Sequence, residues 1–117
     1  MVGGAIIGIE KMKYALVTGA SRGLGRAVAL RLSKRGYSVI INYLSNQEAA
    51  LQVKSEIEQE GGSAELLQFD ASKPREIEAA IDRWEAEHPE EWIYTLVNNA
   101  GIRRDNVMFM MSDEDWH

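Results

Sequence analysis

The sequence predicts an α/β fold built on a parallel sheet, and three observations predict it. Short apolar runs alternate with longer segments of helical periodicity, the connections between them are short, and one glycine-rich turn, Thr18-Gly19-Ala20-Ser21-Arg22-Gly23-Leu24-Gly25, stands between the first apolar run and the first helical one. Strands that alternate with helices pair in parallel through right-handed crossovers. Because such a sheet is covered on both faces, its strands read as continuous apolar runs.

Each element has its own signal. Tyr14-Ala15-Leu16-Val17 reads as the first strand. After the glycine turn, Leu24, Ala27, Val28 and Leu32 recur at helical spacing and form the expected inward face of a helix. Ser38 to Tyr43, with Val39, Ile40 and Ile41, is the second strand. Ser45 and Glu48 form a capping-box pattern, opening a helix with Ala49, Ala50, Val53 and Ile57 on one face and a stop near Gly61-Gly62. The third strand fits Ala64 to Phe69. Ser72 is the expected cap of a helix with Pro74 in its first turn, where Ile77, Ala80, Ile81 and Trp84 share a face. His88-Pro89 ends it, and Ile93 to Val97 is the fourth strand.

Bulk properties narrow the function classes. The chain has 117 residues, 45% hydrophobic and 26% charged, a net charge of -5 and no cysteine. An acidic chain without a basic cluster is a poor partner for nucleic acid. No run approaches the roughly 20 apolar residues that cross a bilayer. The absence of cysteine excludes disulfides and thiolate metal sites and fits a cytoplasmic protein. Residues 1–12 read as a mobile extension ahead of a unit spanning 13–117, with an added strand or an intermolecular contact through Ala5-Ile6-Ile7 as the alternative.

The glycine turn carries the chemistry. Gly19 suits a positive φ, Gly23 lets a ligand approach the main chain, and Gly25 lets helix and strand come close. The free amides of the first helical turn, with the positive end of the helix dipole, favour an anionic group such as a pyrophosphate. An ordinary tight strand-to-helix turn is the alternative reading, and the spacing is G-x-x-x-G-x-G, not the commoner G-x-G-x-x-G.

Thr18-Gly19-Ala20-Ser21-Arg22-Gly23-Leu24-Gly25 resembles the TGxxxGxG signature of the short-chain dehydrogenase/reductase family, and Asn98-Asn99-Ala100-Gly101 resembles its NNAG motif. The run from Asn98 to Asn106, with Met111 to Trp116, is similar in particular to the family's bacterial acyl-carrier-protein-linked 3-oxoacyl reductases. The resemblance covers residues 13–117 and about the first half of a family member. It implies a Rossmann-type sheet in the order 3-2-1-4, the N-terminal half of a doubly wound fold, and a nicotinamide dinucleotide cofactor.

Cofactor choice is read from two positions. NAD-preferring enzymes of this architecture place an acid at the end of the second strand to bind the ribose 2′-OH, whereas Asn42 stands there in this chain. An amide leaves room for a 2′-phosphate, and Arg22 is placed to attract one, which points to NADP(H). The alternatives are a solvated loop charge for Arg22 and a strand-end cap for Asn42. By the resemblance, Asp70 and the Ala71 amide hold the adenine, although Asp70 also suits a loop residue starting the next helix. The backbone of Asn99, Ala100 and Gly101 would pass close to the ribose, and Ser21 and Leu24 complete the expected cofactor-binding set with Gly19, Gly23 and Gly25.

The family's catalytic machinery is a Tyr, a Lys four residues later, a Ser and usually an Asn. No catalytic residue is identifiable here. Tyr14, Tyr37, Tyr43 and Tyr94 are followed four residues on by Thr18, Ile41, Gln47 and Asn98. His88 and His117 read as a solvated helix end and the last residue, and no metal site is expected. Three functions remain open: the N-terminal cofactor-binding portion of an NADP-dependent reductase of acyl-carrier-protein-linked substrates, inactive alone; a nucleotide-binding module without catalysis; or a shortened product serving as an interaction unit. The Ile93 to Val97 strand is expected to be an unpaired edge, and with it self-association or pairing with a complementary C-terminal segment.

Overall fold

The computed structural model of the chain describes residues 13–99 and the backbone of residues 108–111; the extension at residues 1–12 lies outside them. Four strands, β1 (Tyr14–Val17), β2 (Ser38–Tyr43), β3 (Ala64–Gln68) and β4 (Ile93–Asn98), alternate with three helices, α1 (Gly23–Lys34), α2 (Gln47–Gln59) and α3 (Pro74–Glu87). The sheet order is β3-β2-β1-β4-β5, so the expected 3-2-1-4 order is present. All pairings among the first four strands are parallel, with Leu16 opposite Ile40 and Leu96, and Val17 opposite Ile41 and Val97.

Strand residues alternate between two cores. Val17, Val39, Ile41 and Val97 meet Ala29 of α1 and Ala50, Val53 and Ile57 of α2 on one face. Tyr14, Leu16 and Ile40 meet Ala80 and Trp84 of α3 on the other, with Ile77, Ile81 and Leu96 packed around them. The helices therefore change face between β3 and β4, which makes the gap between the C-terminal ends of β1 and β4 the topological switch point.

The fifth strand corrects an expectation. β5 (Met108–Met111) lies antiparallel to β4, with Thr95 opposite Met111 and Asn98 opposite Met108, so the outer edge of β4 is paired instead of open. A parallel partner needs a crossover of a dozen or more residues, usually with a helix, whereas an antiparallel one needs only a local return of the chain.

Three smaller expectations shift. The buried face of α1 carries Gly25 and Ala29, with Val28 and Leu32 half-buried, while Leu24 is 42% exposed and Ala27 lies at the surface. The cap of α2 is Asn46, whose side chain accepts from the Ala49 amide at 3.0 Å, and not Ser45. Ser72 does not cap α3: Lys73 precedes it, and Pro74 at the first position stands where a missing N–H costs nothing.

The strand edge opposite the switch point holds an aromatic cluster. The Trp84 ring meets Tyr14 edge-on at 4.7 Å and stacks on His88 at 3.9 Å, and its indole N–H donates to Glu65 Oε1 at 3.0 Å. His88 Nδ1 lies 2.7 Å from the Trp84 carbonyl oxygen, so this histidine packs against the fold instead of being a solvated helix end. Burial, then the nearby Glu91 and Glu65 carboxylates, push the Tyr14 hydroxyl above its ordinary pKa. Arg26 Nη2 ties α1 to Glu56 of α2 at 2.7 Å, a part-exposed pair worth about 1 kcal/mol at most.

Candidate cofactor-binding site

Four parallel strands bring their C-terminal ends to one edge, and nearly all the residues expected to bind cofactor follow those ends. Gly19, Ser21, Arg22, Gly23, Leu24 and Gly25 follow β1, Asn42 is the last residue but one of β2, Asp70 and Ala71 follow β3, and Asn99 follows β4. Ala100 and Gly101 lie outside the described residues.

The turn after β1 has the conformation its glycines suggest. Gly19 and Gly23 take φ of 61° and 63°, and a β-carbon on Gly23 would project into open space, leaving its main chain approachable. Gly25 plays a different part. A β-carbon there would lie 2.1 Å from the Gly19 carbonyl oxygen and 2.8 Å from the Asn99 amide nitrogen, so the first turn of α1 presses directly on the loop that leaves β1.

The amino end of α1 differs from those of the other helices. Arg22, its cap residue, makes no side-chain cap bond, and the first turn contains no acid. In contrast, α2 has the Asn46 cap and Glu48, and α3 has Pro74 and Glu76 in its first turn. The α1 amides and dipole thus keep an uncompensated attraction for an anion. Arg22 is exposed beside them and has no acidic partner among the described residues.

Hydrogen bonds hold the loop to the neighbouring strands. The Thr18 amide donates to the Val97 carbonyl at 3.0 Å and its hydroxyl to Asn98 Oδ1 at 3.1 Å. Asn99 Nδ2 donates to the Gly19 carbonyl at 3.4 Å. Both asparagines of the Asn98-Asn99 pair therefore bridge β4 to β1 through their side chains. Thr18 was not singled out by sequence reasoning; a buried Thr closing an apolar strand was the signal for it.

Asn42 is held inside the protein. It is 2% exposed, so its amide does not border an open place for a 2′-phosphate. Its Oδ1 accepts from the Gly19 amide at 3.1 Å, and its Nδ2 donates to the Leu67 and Phe69 carbonyls at 3.2 and 3.1 Å. The exposed positions at this strand end are Leu44 and Ser45, and Gln68, also missed from the sequence, donates to the Leu44 carbonyl at 2.8 Å.

Asp70 organises its own loop. The Ser72 hydroxyl and amide donate to its Oδ1 at 2.7 and 3.0 Å, and these bonds hold the carboxyl below the usual carboxylate range. Its Oδ2 lies 3.9 Å from Lys73 Nζ, and the Asp70 amide donates to Glu76 Oε1. Among the described residues no group of three or more His, Asp or Glu converges as metal ligands, and no helix is long and apolar enough to cross a membrane.

A glycine-lined, anion-seeking helix start at the switch point of a parallel sheet defines a dinucleotide-binding class of protein. The short chain dehydrogenase profile matches residues 13–117, and the chain belongs to that family. It is 40% identical over 108 residues to the 3-oxoacyl-acyl-carrier-protein reductase FabG of Staphylococcus aureus, covering 92% of this chain and 43% of that one. The Staphylococcus epidermidis reductase of the same name is 38% identical over 104 residues, with 89% and 42% covered. The chain thus spans less than half the length of these relatives. Among solved structures, a metagenomic short-chain oxidoreductase in complex with NADP matches with a TM-score of 0.67 at 38% identity, covering 77% of this chain and 39% of that one. The angucycline C-6 ketoreductase LanV with bound NADP matches with 0.64 at 37% identity, covering 77% and 37%.

Proposed function

We propose that this chain is the cofactor-binding portion of an NADP-dependent oxidoreductase of the 3-oxoacyl-acyl-carrier-protein reductase type. The observation that carries the reading is the uncapped start of α1, reached through Gly19 and Gly23 at positive φ and lying at the switch point. When bound, a nicotinamide dinucleotide supplies a hydride to a substrate carbonyl carbon. The amides of Gly23, Leu24 and Gly25 bind the pyrophosphate, Arg22 attracts the 2′-phosphate, and the Asp70-Ala71 loop borders the adenine. The relatives' names and the NADP in two structural neighbours support this choice of cofactor and of acyl-carrier-protein-linked substrate.

Arg22→Ala tests the cofactor preference. Loss of one charge-assisted contact is expected to weaken NADP(H) binding by roughly tenfold or more. NAD(H), which lacks the 2′-phosphate, should bind both proteins alike. Calorimetric titrations that show the same NADP(H)-to-NAD(H) ratio in both proteins would remove Arg22 from the account.

A second expectation follows from the missing Tyr-x-x-x-Lys: the 117-residue chain by itself consumes no NADPH with a β-ketoacyl thioester. Positioned proton donation contributes about 10²–10⁴-fold in such reactions, and orientation of the reactants contributes more. Measurable turnover by the purified chain would overturn this. The pairing of β4 by β5 favours a second reading, a nucleotide-binding module that folds without catalysing anything. Under either reading, self-association through an open β4 edge is not required.

A further inference from the structure

We infer that Asn42 is a positioning residue that locks the phosphate turn after β1 to the end of β3, so that the two sides of the nucleotide site are held in register by one buried amide. This rests on the dinucleotide reading of that strand edge. A side-chain amide offers one carbonyl oxygen and two N–H donors. Oδ1 accepts from Gly19, on the pyrophosphate side, and the two donors reach Leu67 and Phe69, immediately before Asp70. The third acceptor near Nδ2, the Tyr43 carbonyl, is the most distant at 3.4 Å. This environment fixes the amide's orientation, because a flipped group would set N–H against N–H at Gly19 and oxygen against two carbonyls.

The backbone of the same residue adds a fourth tie. The Asn42 carbonyl accepts from the Ala20 amide at 3.2 Å, so two successive amides of the turn are bound to one residue. β1 ends at Val17, so the Gly19 amide lies past the ladder and takes its acceptor from the Asn42 side chain. A water molecule is a poor substitute at a residue 2% exposed. With Leu in place of Asn42 the branching and the number of heavy atoms are kept, at the cost of two bulkier methyl groups, and the Gly19 N–H and two carbonyls lose their partners. The turn would then relax relative to the Phe69-Asp70 loop.

Amide hydrogen exchange on the intact chain tests this. In the wild type, the Gly19 amide is expected to exchange as slowly as the sheet amides of Leu16 and Ile40; exchange at the rate of an open loop would refute the proposal without any variant. Asn42→Leu should lower Gly19 protection by roughly tenfold or more beyond any change at Leu16 and Ile40, and weaken NADP+ by about the same factor. Val53→Ala, a core truncation in α2, should lower all protections together and leave NADP+ affinity of the folded protein unchanged. If Asn42→Leu behaves like Val53→Ala, Asn42 supports the fold only and the inference is wrong. If NADP+ binds none of the proteins, the dinucleotide reading fails, while the exchange comparison still decides the role of Asn42.

Discussion

Gly25→Ala is expected to abolish dinucleotide binding and to lower stability by about 3 kcal/mol or more, at the upper end of overpacking penalties. The reason is a contact with backbone. An added β-carbon would sit 2.1 Å from the Gly19 carbonyl oxygen and 2.8 Å from its carbon, and neither can move aside as a flexible side chain would. Separating α1 from the turn is the remaining relief. That separation breaks the Asn99–Gly19 bond and withdraws the first-turn amides from the place where a pyrophosphate would lie. Thermal melting and calorimetric titration check both effects. Gly23→Ala gives a useful contrast, because its β-carbon meets nothing within 4 Å and its penalty is confined to the positive φ. Wild-type stability and NADP+ affinity in Gly25→Ala would mean that the close approach has no consequence.

Trp84→Ala has the largest expected effect on stability alone, about 3–5 kcal/mol. Trp84 is 2% exposed and is the largest side chain in the core under α3. Its removal leaves a cavity between Tyr14 and His88 and strips Glu65 Oε1 of its indole donor. Since a domain of this size is stable by only about 5–15 kcal/mol, that loss is a large share of the total and should lower the denaturation midpoint accordingly. Trp84→Phe retains most of the packing and loses the hydrogen bond, so a smaller loss of about 1–2 kcal/mol follows. Urea denaturation separates the two variants. A loss below about 1 kcal/mol for Trp84→Ala would show that the α3 layer contributes little to the fold.

Much of this architecture was legible because parallel sheets write it plainly. Four apolar runs became four strands, with β1 and β2 spanning the expected residues and β3 and β4 each differing by one at the end. The Gly61-Gly62 stop of α2 was legible as well: the Gly61 and Gly62 amides donate to the Glu58 and Ile57 carbonyls. Details that depend on three-dimensional direction were harder. Ser45 and Asn46 are both competent caps by residue type, and Asn46 is the one whose side chain accepts from the Ala49 amide. Ser72 was a plausible cap until the Asp70 carboxylate took its hydroxyl.

The burial of Asn42 has a partial signal in the sequence. Strand side chains alternate, so Asn42 shares a face with Ile40, which lies wholly in the α3-side core. Parity therefore puts Asn42 on the α3 side of a sheet that is covered on both faces, and leaves the exposed strand end to the residues beyond it. The i, i+4 spacing of Trp84 and His88 similarly signalled their stacking. β5 had no comparable signal, since an antiparallel return into a parallel sheet follows from neither the alternating α/β pattern nor the family order.

An amide-resolved NMR titration with NADP+ tests most directly whether the C-terminal strand edge around the α1 start binds a dinucleotide. The predicted result is saturable shifts at Gly19, Gly23, Leu24, Gly25, Ala71 and Asn99, with Tyr14, Glu65, Trp84 and His88 at the opposite edge unmoved. Shifts concentrated at that opposite edge, or none at millimolar NADP+ in a folded chain, would contradict it.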